Sequence, residues 1–352
     1  MGTMDDIIKQ IQTRIEAAGR DGTPLRIRGG GSKDFYGGEL GGEVLGVGSY
    51  AGVIDYEPKE LVLTVRAGTL LSEVERLVAA EGQMLPFEPP RFGAAATIGG
   101  TAACGLSGPR RSHAGAVRDF VLGARILDGK GQDLSFGGRV IKNVAGYDVS
   151  RLMVGALGTL GVLLDLSFKV LPRPASETTL RFEMDQALAI QTVNHWAGQP
   201  LPLSASAWQD GILTLRLSGT SAGVAAARAK LGGEEVTEGA RYWEDLREHR
   251  LPFFTGANLR RLSLPGTTNP LQLNGPTLIE WGGAQRWVGG DDDIVALRAT
   301  VEKLGGHVTQ FRGSKDHGVF HPLATGLAAI HRRLKTTFDP HGILNAGRMD
   351  NF

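Results

Sequence analysis

The 352-residue chain carries 38 Lys plus Arg against 37 Asp plus Glu, so no net field draws it to nucleic acid or anionic lipid. Its single cysteine, Cys104, excludes an intramolecular disulfide framework, a Cys-only zinc site and an iron–sulfur cluster held within the chain. Glycine is the compositional outlier at 51 residues, which implies many tight turns and close backbone approaches inside a folded protein. No run approaches the ~20 apolar residues that cross a bilayer. Met1 to Gln10, with Asp5 and Asp6, lacks the order of a secretory signal. The expectation is a soluble, cytoplasmic protein with no direct membrane insertion.

In chain order, Ile7, Ile8, Ile11 and Ile15 share one face of an opening amphipathic helix. Leu25 and Ile27 alternate with Arg26 and Arg28 as a strand that runs into three glycines. Val53–Tyr56 and Leu61–Val65 read as strands. A helix from Leu70 follows, with Thr69 as its expected N-cap. Phe120–Leu127 and Leu134–Phe136 read as a hairpin turned at Asp128-Gly129-Lys130-Gly131, and Val162–Val170 as a further apolar strand. At Leu171-Pro172-Arg173-Pro174 two prolines break any regular element, and the main domain boundary is placed there, giving a first domain of residues 1–172. Beyond it the pattern is strand, helix (Gln186–Trp196), strand, strand (Ile212–Leu217), helix (Ala222–Leu231). A later run reads strand (Thr277–Trp281), helix (Ile294–Leu304), strand (Val308–Phe311). This predicts one or two ferredoxin-like layers with an open antiparallel sheet, hence an α+β chain. Leu323–Phe338 reads as a closing helix, stopped at Asp339-Pro340.

Three glycine-rich stretches carry the chemistry. Arg28-Gly29-Gly30-Gly31-Ser32-Lys33 follows a strand, and such a run lets successive N–H groups converge on phosphate oxygens. It is not a Walker A loop, and alone it is equally a surface turn. The second stretch runs from Pro89-Pro90 through Thr97-Ile98-Gly99-Gly100 and Ala103 to Gly105, Ser107, Gly108 and Gly115. The third is Lys142-Asn143-Val144-Ala145-Gly146-Tyr147-Asp148, followed by Gly155 to Val162 with Gly158, Thr159 and Gly161. Three such loops in one domain suit a dinucleotide with two phosphates and two ring systems. Asp148 doubles as an N-cap. Cys104 reads as a small buried hydrophobe. His113, beside Arg110 and Arg111, is the candidate catalytic group, and the same three residues equally suit cofactor phosphate, a loop cap or a partner surface.

The order of these motifs resembles the vanillyl-alcohol oxidase/p-cresol methylhydroxylase (PCMH-type) FAD-binding superfamily. The resemblance implies a two-lobed FAD domain, a smaller α+β cap over residues 173–335, and a tail of residues 336–352 that returns to the flavin with Asn345. Arg28 to Lys33 become the pyrophosphate loop, Thr97 to Gly100 the second cofactor loop, and Gly155 to Val162 the stretch closing over the flavin. Pro90, Ala103, Gly105, Ser107, Gly108, Arg110, Gly115, Asn143, Gly146, Tyr147 and Asp148 complete the expected FAD contacts. Gly105-Leu106-Ser107-Gly108-Pro109-Arg110-Arg111, the Lys142 stretch and Phe338 to Arg348 further resemble the FAD-binding E-subunit family of glycolate oxidases. That likeness implies oxidation of glycolate, a 2-hydroxy acid, within a complex containing a second flavin subunit and an iron–sulfur subunit. Any membrane association would then come through those partners. No histidine occupies the pyrophosphate loop, so the FAD is expected to be non-covalent. The histidine-rich metal motif of dehydrogenase-type relatives has no match: His317 and His321 are four apart, but Pro322 follows His321 directly and keeps the pair from sharing a mid-helix face, and no metal is expected. This favours a relay subunit over a stand-alone 2-hydroxy-acid dehydrogenase.

Overall fold

The computed structural model describes residues 3–138 and 147–349, which form an α+β structure around two main sheets. The opening helix, Met4–Asp21, starts in a capping box in which Thr3 and Asp6 satisfy each other's amides, and it ends at Gly22 in the left-handed region. Its apolar face, Ile8, Ile11, Ile15 and Ala18, joins one cluster with Leu25, Leu45, Leu164 and Leu344. Strands Leu25–Arg28 and Glu43–Gly46 pair in parallel in this lobe.

A five-stranded antiparallel sheet forms the second lobe, in the order Val53–Glu57, Val62–Arg66, Val162–Lys169, Val121–Leu127, Asp133–Gly137. The central strand serves both lobes. Its register against Val121–Leu127 shifts between Arg125 and Ile126. Val162 and Leu164 accordingly pack with the opening helix, whereas Leu166 and Phe168 pack into the core with Val65, Val74 and Phe87. The hairpin turn forms because Asp128 Oδ1 accepts from the Lys130 and Gln132 amides at 2.8 Å each. Thr69 departs from its expected role. Helix Leu71–Ala80 begins after Leu70 with no side-chain cap. The buried Thr69 hydroxyl instead accepts from Gly52 N–H at 2.8 Å and donates to Arg66 O at 2.7 Å, tying the preceding turn.

The second half builds a single eight-stranded sheet with antiparallel pairing, in the order Glu234–Glu235, Ser176–Glu183, Ile212–Gly219, Leu203–Gln209, Thr277–Glu280, Gln285–Gly289, Leu259–Ser263, His307–Arg312. The first four strands, with helices Gln186–Ala197 and Ser221–Leu231, make one ferredoxin-like unit. The later strands extend that sheet rather than founding a second layer. The last helix, Thr325–Phe338, sets Leu334 and Phe338 against the first half. Lys335 Nζ donates to Thr159 O at 2.8 Å and Leu344 O at 2.9 Å, so the tail's return is under way before residue 336. Among the described residues no helix is long and apolar enough to cross a membrane.

Buried charge holds the halves together. Glu88 accepts from Arg110 and from Arg216 of the large sheet, Arg110 also pairs with Glu177, and Glu248 accepts from the Arg91 and Phe92 amides.

Candidate functional site

The strand Leu25–Arg28 delivers its glycine run into an open cleft of about 770 Å³, mouth included. The loop fits there only because it lacks side chains. A Cβ on Gly30 would stand 1.5 Å from Ala95 O, and one on Gly29 would stand 2.5 Å from Thr97 Oγ1. Gly31 has φ +73°. The 93–97 segment therefore presses directly on the loop. Among the described residues, none of the five successive amides from Gly29 to Lys33 donates to an acceptor in the chain. Lys33 Nζ is buried, donates to Arg91 O at 3.2 Å, and has no carboxylate within ion-pair distance among the described residues. Burial pushes that ammonium below the ordinary lysine value. An array of free N–H groups beside an unpaired cation is an anion cradle.

The other walls are positioned by specific bonds. Thr97 Oγ1 accepts from Gly100 N–H at 3.1 Å and caps helix Ile98–Cys104. Gly99 lies where a Cβ would come within 2.6 Å of Ala67 Cβ. Asn345, at φ +44°, accepts from Ile27 N–H through Oδ1 at 2.7 Å and donates through Nδ2 to Leu157 O at 2.6 Å. One side chain thus joins the tail, the glycine-loop strand and the 155–162 stretch. Leu40, Val47, Ala67, Leu157 and Leu163 give an apolar lining suited to a flat ring system.

The cleft brings together Arg28, Gly29, Gly30, Gly31, Ser32, Lys33, Thr97, Gly99, Gly100, Ala103, Gly158, Gly161 and Asn345 from four distant stretches. Other expected contacts lie elsewhere. Ile98 and Val162 are core residues with no exposure. Gly105 closes a helix in the left-handed region, and a Cβ on it would meet Gly155. Gly115 ends helix Arg111–Ala114. Arg110 is taken up by Glu88 and Glu177, and the buried Thr159 hydroxyl donates to Ala156 O. Asp148 caps helix Val149–Leu152, while Tyr147 is 96% exposed. Pro90, Ser107 and Gly108 line a neighbouring cavity. His113 is exposed on a short helix away from the cleft, its pKa lowered by desolvation and by Arg110. Asn143 and Gly146 fall outside the described residues.

Ile27, Asp34, Cys104, Leu157 and Arg348 also line the cleft. Arg348 donates to Asp34 O, Tyr36 O and Gly38 O, which fixes the turn after the glycine loop. Its place in the closing Asn345-Ala346-Gly347-Arg348 run was the available signal. The apolar walls carry none. The Cys104 thiol is pushed up to about 11 by burial and stays protonated at neutral pH.

The sequence pattern of the family described as FAD binding domain matches residues 7–137. Glycolate oxidase subunit GlcE of Escherichia coli (strain K12) is 46% identical over 98% of this chain and 97% of its own length. Glycolate oxidase subunit GlcD of Bacillus subtilis (strain 168) is 33% identical over 128 residues, 36% of this chain and 27% of its own. Among solved structures, p-cresol methylhydroxylase with substrate bound superposes with a TM-score of 0.69 at 16% identity, covering 98% of this chain and 88% of that one. That likeness is one of fold.

Proposed function

The chain belongs to the family of glycolate oxidase subunit GlcE, and on that footing we propose that it is the FAD-binding subunit of a complex oxidising glycolate to glyoxylate. The observation that carries this reading is the row of five amides, Gly29 to Lys33, that donate to nothing among the described residues and belong to residues lining one cleft with Thr97, Gly158 and Asn345. When bound, FAD supplies acceptance of a hydride or of single electrons. The chain's part is to bind and orient it. The loop amides and Lys33 would hold the pyrophosphate, Asn345 joins strand Leu25–Arg28 to the 155–162 stretch, and Val47, Ala67, Leu157 and Leu163 would exclude water from the ring. In this reading residues 1–172 hold the cofactor, residues 173–335 cover it, and residues 336–352 close it. One cysteine cannot hold a cluster, so electrons leave to another protein or a diffusible acceptor, which the family resemblance makes an iron–sulfur partner subunit. A second flavin subunit completes the assembly, and any contact with a membrane is made by the partners.

Attachment of the FAD is non-covalent. Arg28 to Lys33 contain no histidine or cysteine, and the protonated Cys104 thiol is a poor nucleophile. Acid precipitation of the loaded protein should release all of its flavin into the supernatant; flavin retained in the pellet would refute this point.

The main reading is tested by anaerobic mixing of the FAD-loaded chain with glycolate and D-lactate while flavin absorbance is followed. Bleaching only after the partner subunits are added supports a relay role. A second reading, a subunit that oxidises the acid over its own flavin, is favoured by the polar cavity beside the cleft and predicts bleaching of the chain alone. A preparation that takes up no FAD overturns both.

A further inference from the structure

We propose that the outer face of helix Thr325–Phe338, with the groove beside it, is the docking surface for an acidic partner protein that takes up the electrons of the bound flavin. Leu327, Ile330, Leu334 and Phe338 recur at three- and four-residue spacing and form one apolar stripe. Only half of that stripe is used within the chain. Leu334 and Phe338 pack against the core of the first half, whereas Leu327 is 46% and Ile330 55% exposed. Leu323, just ahead of the helix, prolongs the bare part at 38%. No residue of this 14-residue helix is buried, and Ile330 is the most exposed large aliphatic side chain among the described residues. Single exposed apolar residues need no explanation, but a contiguous bare patch marks an interaction site.

Charge selects the occupant. From His317 to Phe338 the sequence holds Arg332, Arg333 and Lys335 and no acidic residue. Lys335 is engaged with Asp339, Thr159 O and Leu344 O. Arg332 and Arg333 are exposed, and neither has a carboxylate within ion-pair distance among the described residues. An apolar centre beside unpaired basic groups is met by a protein surface whose apolar patch is rimmed by Asp and Glu. A second copy of this chain matches poorly, because a two-fold contact through this face gathers the arginines of both copies and no acid. A lipid surface matches poorly too. The second half of the stripe is committed to the core, so the helix cannot lay its whole apolar face into a bilayer.

The position of the helix suits electron exit. Lys335 bolts it to the 155–162 stretch and to the tail, which both contribute walls of the cofactor cleft. The groove beside it is lined by Thr159, Arg332, Lys335, Thr336, His341 and Asn345, and Asn345 also lines the cleft. A partner seated here has only that wall between it and the cofactor. The partner's one-electron carrier is reduced twice for each two-electron reoxidation of the flavin, and the protons go to water. The electron role rests on the function proposed above; the docking does not.

The test titrates the full chain, with and without FAD, with the purified iron–sulfur subunit of the proposed complex and reads binding by sedimentation velocity. Stopped-flow absorbance then follows flavin reoxidation when the photoreduced chain meets that subunit. Ile330→Asp is expected to weaken binding at least about tenfold, as loss of an apolar anchor does. Arg332→Glu combined with Arg333→Glu should weaken it by about as much and remove most of its salt dependence. Arg332→Lys with Arg333→Lys keeps the charge and should bind nearly as wild type. FAD content and reoxidation by benzoquinone, a small neutral oxidant, should stay unchanged in every variant, which separates lost docking from misfolding. Wild-type affinity in both Ile330→Asp and the glutamate variant overturns the proposal, and so does a bound subunit that leaves the flavin reduced. Binding to phosphatidylglycerol vesicles in place of the subunit, abolished by the same substitutions, overturns it in favour of lipid. A dimer of the chain alone that Ile330→Asp dissociates overturns it in favour of a second copy. Failure of the flavin reading looks different: a chain that takes up no FAD and still binds the subunit through this face.

Discussion

A chain carrying Gly30→Ala is expected to fold and to lose its FAD. The added Cβ would meet Ala95 O at 1.5 Å and Ala95 C at 2.5 Å, backbone atoms that no rotamer change can clear. Either the glycine loop or the 93–97 segment must withdraw, and both belong to the cleft. Withdrawal scatters amides that converge on one anion only while Gly29, Gly30 and Gly31 stay seated. If two charge-assisted hydrogen bonds are lost, at ≈1.5–3 kcal/mol each, affinity falls by roughly a hundredfold or more. The matched control is Gly41→Ala, where an added Cβ meets nothing within 4 Å and φ is not positive. Flavin content after purification and circular dichroism are the measurements. A Gly30→Ala protein that retains FAD like the control would remove the loop from the cofactor site.

The part of this site that could be read from sequence is the part built from glycine. Gly29 to Gly31, Gly99 and Gly158 announce themselves because an added Cβ there would come closer than 3.0 Å to a neighbour. Element positions were readable for a similar reason: periodicity set helix Gln186–Ala197 and strand Val162–Lys169 near their observed bounds and found the apolar face of the opening helix, though not its 18-residue length. What stayed hidden depends on distance along the chain. Arg110 looked like a phosphate ligand because its acids, Glu88 and Glu177, come from a left-handed turn and from the far sheet. Tyr147 sits in a glycine-rich motif, yet it faces solvent. Thr69 has the chemistry of a cap, and only the fold shows Gly52 waiting for its hydroxyl. Likewise, two strand–helix–strand runs cannot reveal that their strands merge into one sheet of eight.

The second large effect concerns Glu88, whose carboxylate joins the two halves. Oε2 accepts from Arg110 N–H and from Arg216 Nη2, both at 2.9 Å, and Oε1 accepts from Arg110 Nε at 3.3 Å. The guanidinium side chains are only 8% and 6% exposed, so Glu88→Ala leaves the buried Arg216 without its carboxylate and Arg110 with Glu177 alone. Breaking one side of such a cluster costs about 3–5 kcal/mol. Stability to denaturant should fall by that order near neutral pH, and protease should gain access around the Leu171–Pro174 crossover. The pH dependence separates charge loss from simple truncation. Burial pushes the Glu88 carboxyl up, but Arg216 and Arg110 together outweigh it and hold the folded pKa below the ordinary glutamate value. The stabilisation is therefore fully present above about pH 4.3, the unfolded glutamate value, and is lost as pH falls through the lower folded one. Wild type and Glu88→Ala should thus differ widely near neutrality and converge in acid. A gap that persists unchanged below the folded pKa would mean that Glu88 acts there through packing, and that the charge cluster does not hold the halves together.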